Sequence, residues 1–128
     1  MKEQLLFVYN ANSNLFSTVT GFAHKILSPS TYQCQLCALT YGNVLIKQQW
    51  KSFIAALSIE TVFLHKDEFE KQYKTVPALP AVFILNMGEI KEIITRTEIE
   101  TCYTLEELKR LVTVKLKKHV QHYHSNLQ

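Results

Sequence analysis

Two cysteines separated by two residues, in Cys34-Gln35-Leu36-Cys37, are the strongest chemical signal in this 128-residue sequence. Thiols at this spacing lie about one helical turn apart on one face, so one sulfur can attack a disulfide and the other can resolve the product. Ser30 and Thr31 are candidates to cap a short helix over Tyr32–Tyr41, which Gly42 would close. With Thr31 as the cap, Cys34 falls in the first turn, where the positive end of the helix dipole favours a thiolate. Cys34 is then the expected attacking residue and Cys37 the resolving one, with both sulfurs accessible.

Two other readings of the pair stay open: metal binding, and packing as two small buried hydrophobes. One CxxC supplies two thiolates while structural zinc takes four ligands, so a zinc site would need His24 and His65 to complete a Cys₂His₂ set. The spacing of those histidines matches no zinc motif, and His24 falls off the apolar stripe of its helix, as a solvated side chain does. His65 ends a strand-like run, and the carboxyl edge of a sheet is where open α/β folds place their sites. Cys102, just before the last helix, reads as a lone buried thiol in preference to a third redox partner. His119, His122 and His124 cluster in a basic C-terminal stretch; a frayed, solvated helix end is expected there in preference to a weak metal site. Asn12 and Ser13 are helix caps by type, although a helix start also attracts anions.

Composition narrows the classes. Hydrophobic residues make up 47% and charged residues 20%, the balance of one folded domain, residues 1–128, with enough apolar material for a core. A net charge of +3, scattered along the chain, gives no basic stripe for nucleic acid. No apolar run is long enough to cross a bilayer, so no membrane partner is expected. Met1-Lys2-Glu3-Gln4 leads straight into a strand-like segment without a secretory signal pattern, and three cysteines, an odd number, argue against a secreted disulfide scaffold. A cytoplasmic location follows as the expectation, with Cys34 and Cys37 as thiols by default.

The elements that must position these residues follow from periodicity. Leu5–Tyr9 (LLFVY) predicts a buried strand. Leu15, Val19, Phe22 and Ile26 recur at helical spacing until Pro29. A further helix carries Ile46, Trp50, Phe53, Ile54 and Leu57 on one face. Thr61–His65 (TVFLH) reads as a strand, and Asp67 with Glu70 has capping spacing for a short helix bearing Phe69 and Tyr73. Ala81–Leu85 (AVFIL), the turn Asn86-Met87-Gly88, and Glu89–Thr95 predict a hairpin. Thr104-Leu105-Glu106-Glu107 opens a last helix. From Lys117 to Gln128 the chain is a polar tail expected to fray. Strands separated by helices imply parallel pairing, with the hairpin adding an antiparallel edge, so a mixed sheet with helices on both faces is expected.

The stretch Leu79-Pro80-Ala81-Val82-Phe83-Ile84-Leu85-Asn86-Met87-Gly88-Glu89, followed by a strand and a capped helix, resembles the second half of thioredoxins. In that superfamily a cis-proline precedes a buried strand, a glycine turn leads to an edge strand, and a final helix closes the sheet. The resemblance implies a thioredoxin-like three-layer α/β domain with Pro80 in the cis-proline position, helping to place an extended protein thiol or disulfide substrate. Thioredoxins carry their CxxC directly after the first strand, where this chain has Asn10-Ala11-Asn12-Ser13. The pair at Cys34 and Cys37 lies instead in a segment, residues 29–57, that reads as an insertion. The whole chain is also similar to a family of small bacterial proteins with an STYxCxLC segment, sometimes labelled GTPases. With three glycines and no GxxxxGK[ST] loop, the chain has nothing to cradle a triphosphate, and the label is rejected. The expected function is a thiol–disulfide redox or thiol-sensing role through Cys34 and Cys37, with no cofactor. The alternative is a non-catalytic module of the same fold that binds zinc or a partner protein.

Overall fold

The computed structural model describes residues 3–12, 34–41, 46–74 and 77–127, with side chains described as far as Gln121. A continuous apolar run needs cover on both faces of its strand. Accordingly β1 (Gln4–Val8) lies inside a four-stranded sheet with β2 (Glu60–Leu64), β3 (Ala81–Asn86) and β4 (Glu89–Ile94), in the order β2-β1-β3-β4. Leu5, Leu6, Phe7, Val8 and Tyr9 are all buried. β1 runs parallel to β2, with Leu6 opposite Val62, and antiparallel to β3, with Leu6 opposite Phe83. β3 and β4 form the expected hairpin around Met87 and Gly88, both at positive φ (54° and 82°), as a tight two-residue connection requires.

The direction of β3 corrects the expectation of parallel pairing after a crossover. Among the described residues between β2 and β3 the one regular element is α3 (Lys66–Tyr73), eight residues and so about 12 Å long. It therefore enters β3 from the same edge at which it left β2. The Leu79–Pro80 peptide bond at this entrance is cis.

Side chains alternate across the sheet and build two cores. On one face Leu5, Phe7, Val82, Ile84 and Ile94 pack with residues of α1 (Gln35–Thr40), α2 (Gln48–Ala55), α4 (Arg96–Glu100) and α5 (Leu105–Leu127). On the other face Leu6, Val8, Leu64, Ala81 and Phe83 pack under Phe69 and Tyr73 of α3. Among the described residues, helices thus cover both faces of a mixed sheet, and no helix is long and apolar enough to cross a membrane. The helix expected over residues 15–27, and His24 within it, lies outside the described residues.

Helix boundaries differ from the expected ones where capping is concerned. α3 is capped by His65 and Glu68, not by Asp67 and Glu70: Glu68 Oε1 accepts from the His65 backbone N–H at 2.8 Å. α4 was not expected at all, although Thr95 and Glu98 form a capping box, with the Thr95 hydroxyl accepting from Glu98 N–H at 3.2 Å. The tail expected to fray from Lys117 is instead helical to Leu127. His119 Nε2 lies 3.1 Å from Glu3 Oε2, so the side chains of the chain's two ends are tied together at this point.

The His65 backbone N–H, donated to Glu68, holds the Glu68 carboxyl below the ordinary glutamate value of 4.5 and outweighs the opposing effect of burial. A depressed carboxylate pKa stabilises the fold fully above the unfolded value, and the contribution is lost as pH falls through the lowered folded value. Glu68→Gln should therefore flatten the acid side of the stability–pH curve while leaving its neutral side lower by only about 0.3–0.5 kcal/mol, because water screens a carboxylate that is nearly half exposed. Urea unfolding of both proteins across the glutamate range checks this; parallel curves would refute it.

Candidate functional site

Cys34 and Cys37 are joined as a disulfide across the start of α1, with Cα atoms 5.3 Å apart. This differs from the default expectation of two free thiols. It follows from local geometry: a half-in cap residue and the third residue of the helix point the same way, within reach of one another. Cys34 is itself the N-cap, not a first-turn residue, and its Sγ accepts from the Cys37 backbone N–H at 3.3 Å. Ser30 and Thr31, the expected caps, lie outside the described residues. A helix of six residues has little macrodipole, so the electrostatic help to a Cys34 thiolate comes down to this one hydrogen bond.

Accessibility also departs from expectation. Cys34 is 4% exposed and Cys37 fully buried, both within the core cluster that holds Tyr9, Ala11, Trp50 and Leu108. Leu36, Cys37 and Leu39 are the apolar residues that dock α1, so the second sulfur lies among the side chains that pack. Gln35 fixes the same end of α1 from outside: its Nε2 donates to the Cys102 carbonyl at 2.7 Å. Cys102 is a free, buried thiol, and burial, helped by the charge of Glu107, pushes its pKa up. A thiol so placed is a poor nucleophile, in keeping with the packing expectation.

A second group gathers at the sheet edge where β1 and β2 end and β3 begins. Tyr9 N–H donates to Leu64 O and Lys66 N–H to Ala11 O, each at 2.9 Å, while Val8 pairs with Ala81. These contacts put His65 and the buried Pro80 on one edge. His65, expected within the strand, is the cap residue after it. Its Nδ1 lies 2.7 Å from Glu68 Oε1, so the imidazole and the carboxylate are held against each other at this edge. Tyr9 links this edge to α1: its ring stands 5.9 Å from that of Tyr41, the residue that ends α1. Burial raises both phenols, Tyr9 well above the ordinary tyrosine value, so neither ionises near neutrality.

Of the zinc set, only Cys34, Cys37 and His65 fall among the described residues. Among the described residues no group of three or more His, Cys, Asp or Glu side chains is arranged to hold a metal, so Cys34, Cys37 and His65 do not converge as ligands. His24 lies outside the described residues, as do Ser13 and the side chains of His122 and His124. His119, expected to be solvated, is instead about nine-tenths buried against Glu3. Sequence reasoning missed the partners Glu3, Gln35 and Glu68. Only Glu68 lay near enough in the chain to be found by spacing, and its cap, a histidine, is not a usual capping type.

The chain matches no family model, no curated protein and no solved structure.

Proposed function

We propose that this is a thioredoxin-like protein whose Cys34–Cys37 pair works as a dithiol/disulfide couple that senses thiol redox state. The observation that carries the reading is the pairing of the two sulfurs across the start of α1. Support comes from the strand order β2-β1-β3-β4 with an antiparallel hairpin, and from a cis Leu79–Pro80 bond leading into β3, both features of the superfamily that the sequence resembles.

Burial favours sensing over turnover of a protein substrate. With both sulfurs in the core, a folded protein disulfide has poor access to them, whereas a small disulfide such as oxidised glutathione needs only a brief local opening. In the reduced protein Cys34, the less enclosed of the two, attacks one sulfur of the small disulfide, whose S–S bond breaks and releases one thiolate. Cys37 then attacks Cys34 Sγ, the mixed disulfide breaks, and the second thiolate leaves. The two cysteine protons end on the two released thiols, and the protein pair has lost two electrons to the small disulfide. Pro80, at the sheet edge, is assigned the positioning role implied by the resemblance.

The second reading, a non-catalytic module of the same fold that binds a partner or zinc, draws on the same burial. One experiment separates the two. The protein is reduced, its zinc content measured, and the native and denatured forms alkylated with mass-resolved readout. The redox reading expects Cys34 to be labelled ahead of Cys37 in the native protein, Cys102 to lag both, and oxidised glutathione to restore the pair. Labelling only after denaturation, with no re-oxidation by glutathione, would leave a structural pair. Protection that disappears on chelation would assign zinc.

A further inference from the structure

We propose that two copies of the chain associate through β4, edge to edge and antiparallel, on a two-fold axis passing through Ile90. β4 is one end of the sheet, and among the described residues its only strand partner is β3, so its outer backbone groups have no ladder to join. An exposed edge is a template for a second strand, and an identical strand can meet it only about an axis perpendicular to the sheet. Opposed residues then lie on the same face, and each register places one residue against its own copy.

Charge selects among those registers. The regular part of β4 is Glu89-Ile90-Lys91-Glu92, bounded by the turn at Gly88 and by the irregularity in pairing opposite Val82 and Phe83. An axis through Glu89 sets Glu89 against Glu89, an axis through Lys91 sets lysine against lysine, and an axis through Glu92 sets Glu92 against Glu92. Like charges directly opposed on a sheet repel. An axis through Ile90 has none of these clashes. It sets Glu89 against Lys91 of the second copy, and Lys91 against Glu89 of the second copy, while Ile90 meets Ile90. Glu92 then falls opposite Gly88, which has no side chain to obstruct it.

The side chains are available for this. Glu89 and Lys91 are exposed, and neither forms an ion pair among the described residues. Ile90 is half-buried against the core under α3, and its remaining apolar surface would be covered by its copy. The opposite edge does not offer this. β2 reads Glu-Thr-Val-Phe-Leu, with one charge and no opposite charge to match it. Charged residues on edge strands commonly discourage pairing; here they forbid three registers and match the fourth.

The test is a charge reversal read by sedimentation velocity over a concentration series. The wild type should show a reversible monomer–dimer equilibrium. Glu89→Lys and Lys91→Glu, each alone, should weaken it by about tenfold or more, because each variant opposes like charges twice. An equimolar mixture of the two variants should restore association, since one chain then carries two positive charges and the other two negative ones. The double variant with both charges reversed should also dimerise. Circular dichroism confirms that the single variants fold, and the mixture supplies a positive signal even if the double variant does not. A wild type that stays monomeric up to its solubility limit would overturn the proposal. So would a dimer indifferent to both reversals, or single variants that fail to associate when mixed.

Discussion

Trp50→Ala should lower the unfolding free energy by about 3–5 kcal/mol, whereas Trp50→Phe should cost less than half of that. Trp50 is fully buried in α2, stands edge-on to Phe7 with ring centroids 5.4 Å apart, and stacks on Phe53 at 5.5 Å. Phe7 in turn stacks on Phe63, so the indole is the keystone between α2 and two strands. A hollow of about 310 Å³, lined by Ile46, Trp50, Ile54 and Phe63, already borders it. Truncation to alanine merges the lost volume with that hollow, and the neighbours cannot collapse to fill both. Phenylalanine keeps most of the ring contact. It also removes a buried donor: Trp50 Nε1 makes no hydrogen bond among the described residues, and such a group costs about 1–3 kcal/mol to bury. That relief offsets part of the lost area. Urea unfolding of both variants decides the point, and equal losses would mean that volume alone governs the site.

How much of this was readable in the sequence depends on whether the determining contact is local. The apolar runs at Leu5–Tyr9 and Ala81–Leu85, the hairpin turn at Met87-Gly88 and the helix after Thr104 all declare themselves within a few residues, and all are present. The α4 cap at Thr95 and Glu98 was equally legible, with the same spacing as the box at Thr104, but the strand pattern before it masked it. The direction of β3 was not local. It depends on how far an eight-residue helix can carry the chain before it must return. Nor could the His119–Glu3 contact be read, because its partners are 116 residues apart. The cysteine pair falls between these cases. Its closeness followed from spacing, but its burial did not, since that depends on which face of a six-residue helix the tertiary structure takes up.

The second core is thinner than the first, and Phe69→Ala should expose this with a loss of about 3–5 kcal/mol and undocking of α3. Among the described residues, only α3 covers this face, through Phe69 and Tyr73. Phe69 is fully buried and stacks on Phe83 with centroids 5.0 Å apart, while Tyr73 lies 5.1 Å from it and is half-buried. An eight-residue helix is too short to persist in water without its packed face. Removing the ring therefore removes the helix's reason to form, and with it the clasp between Glu68 and His65 that fixes the imidazole at the sheet edge. The two losses are one event. The α3 amides should lose their hydrogen-exchange protection in Phe69→Ala under conditions where β1 amides keep theirs, whereas Tyr73→Ala should leave both protected. Uniform loss of protection across both elements would show instead that the two cores unfold as one unit, and that α3 owes its place to the whole sheet more than to a single ring.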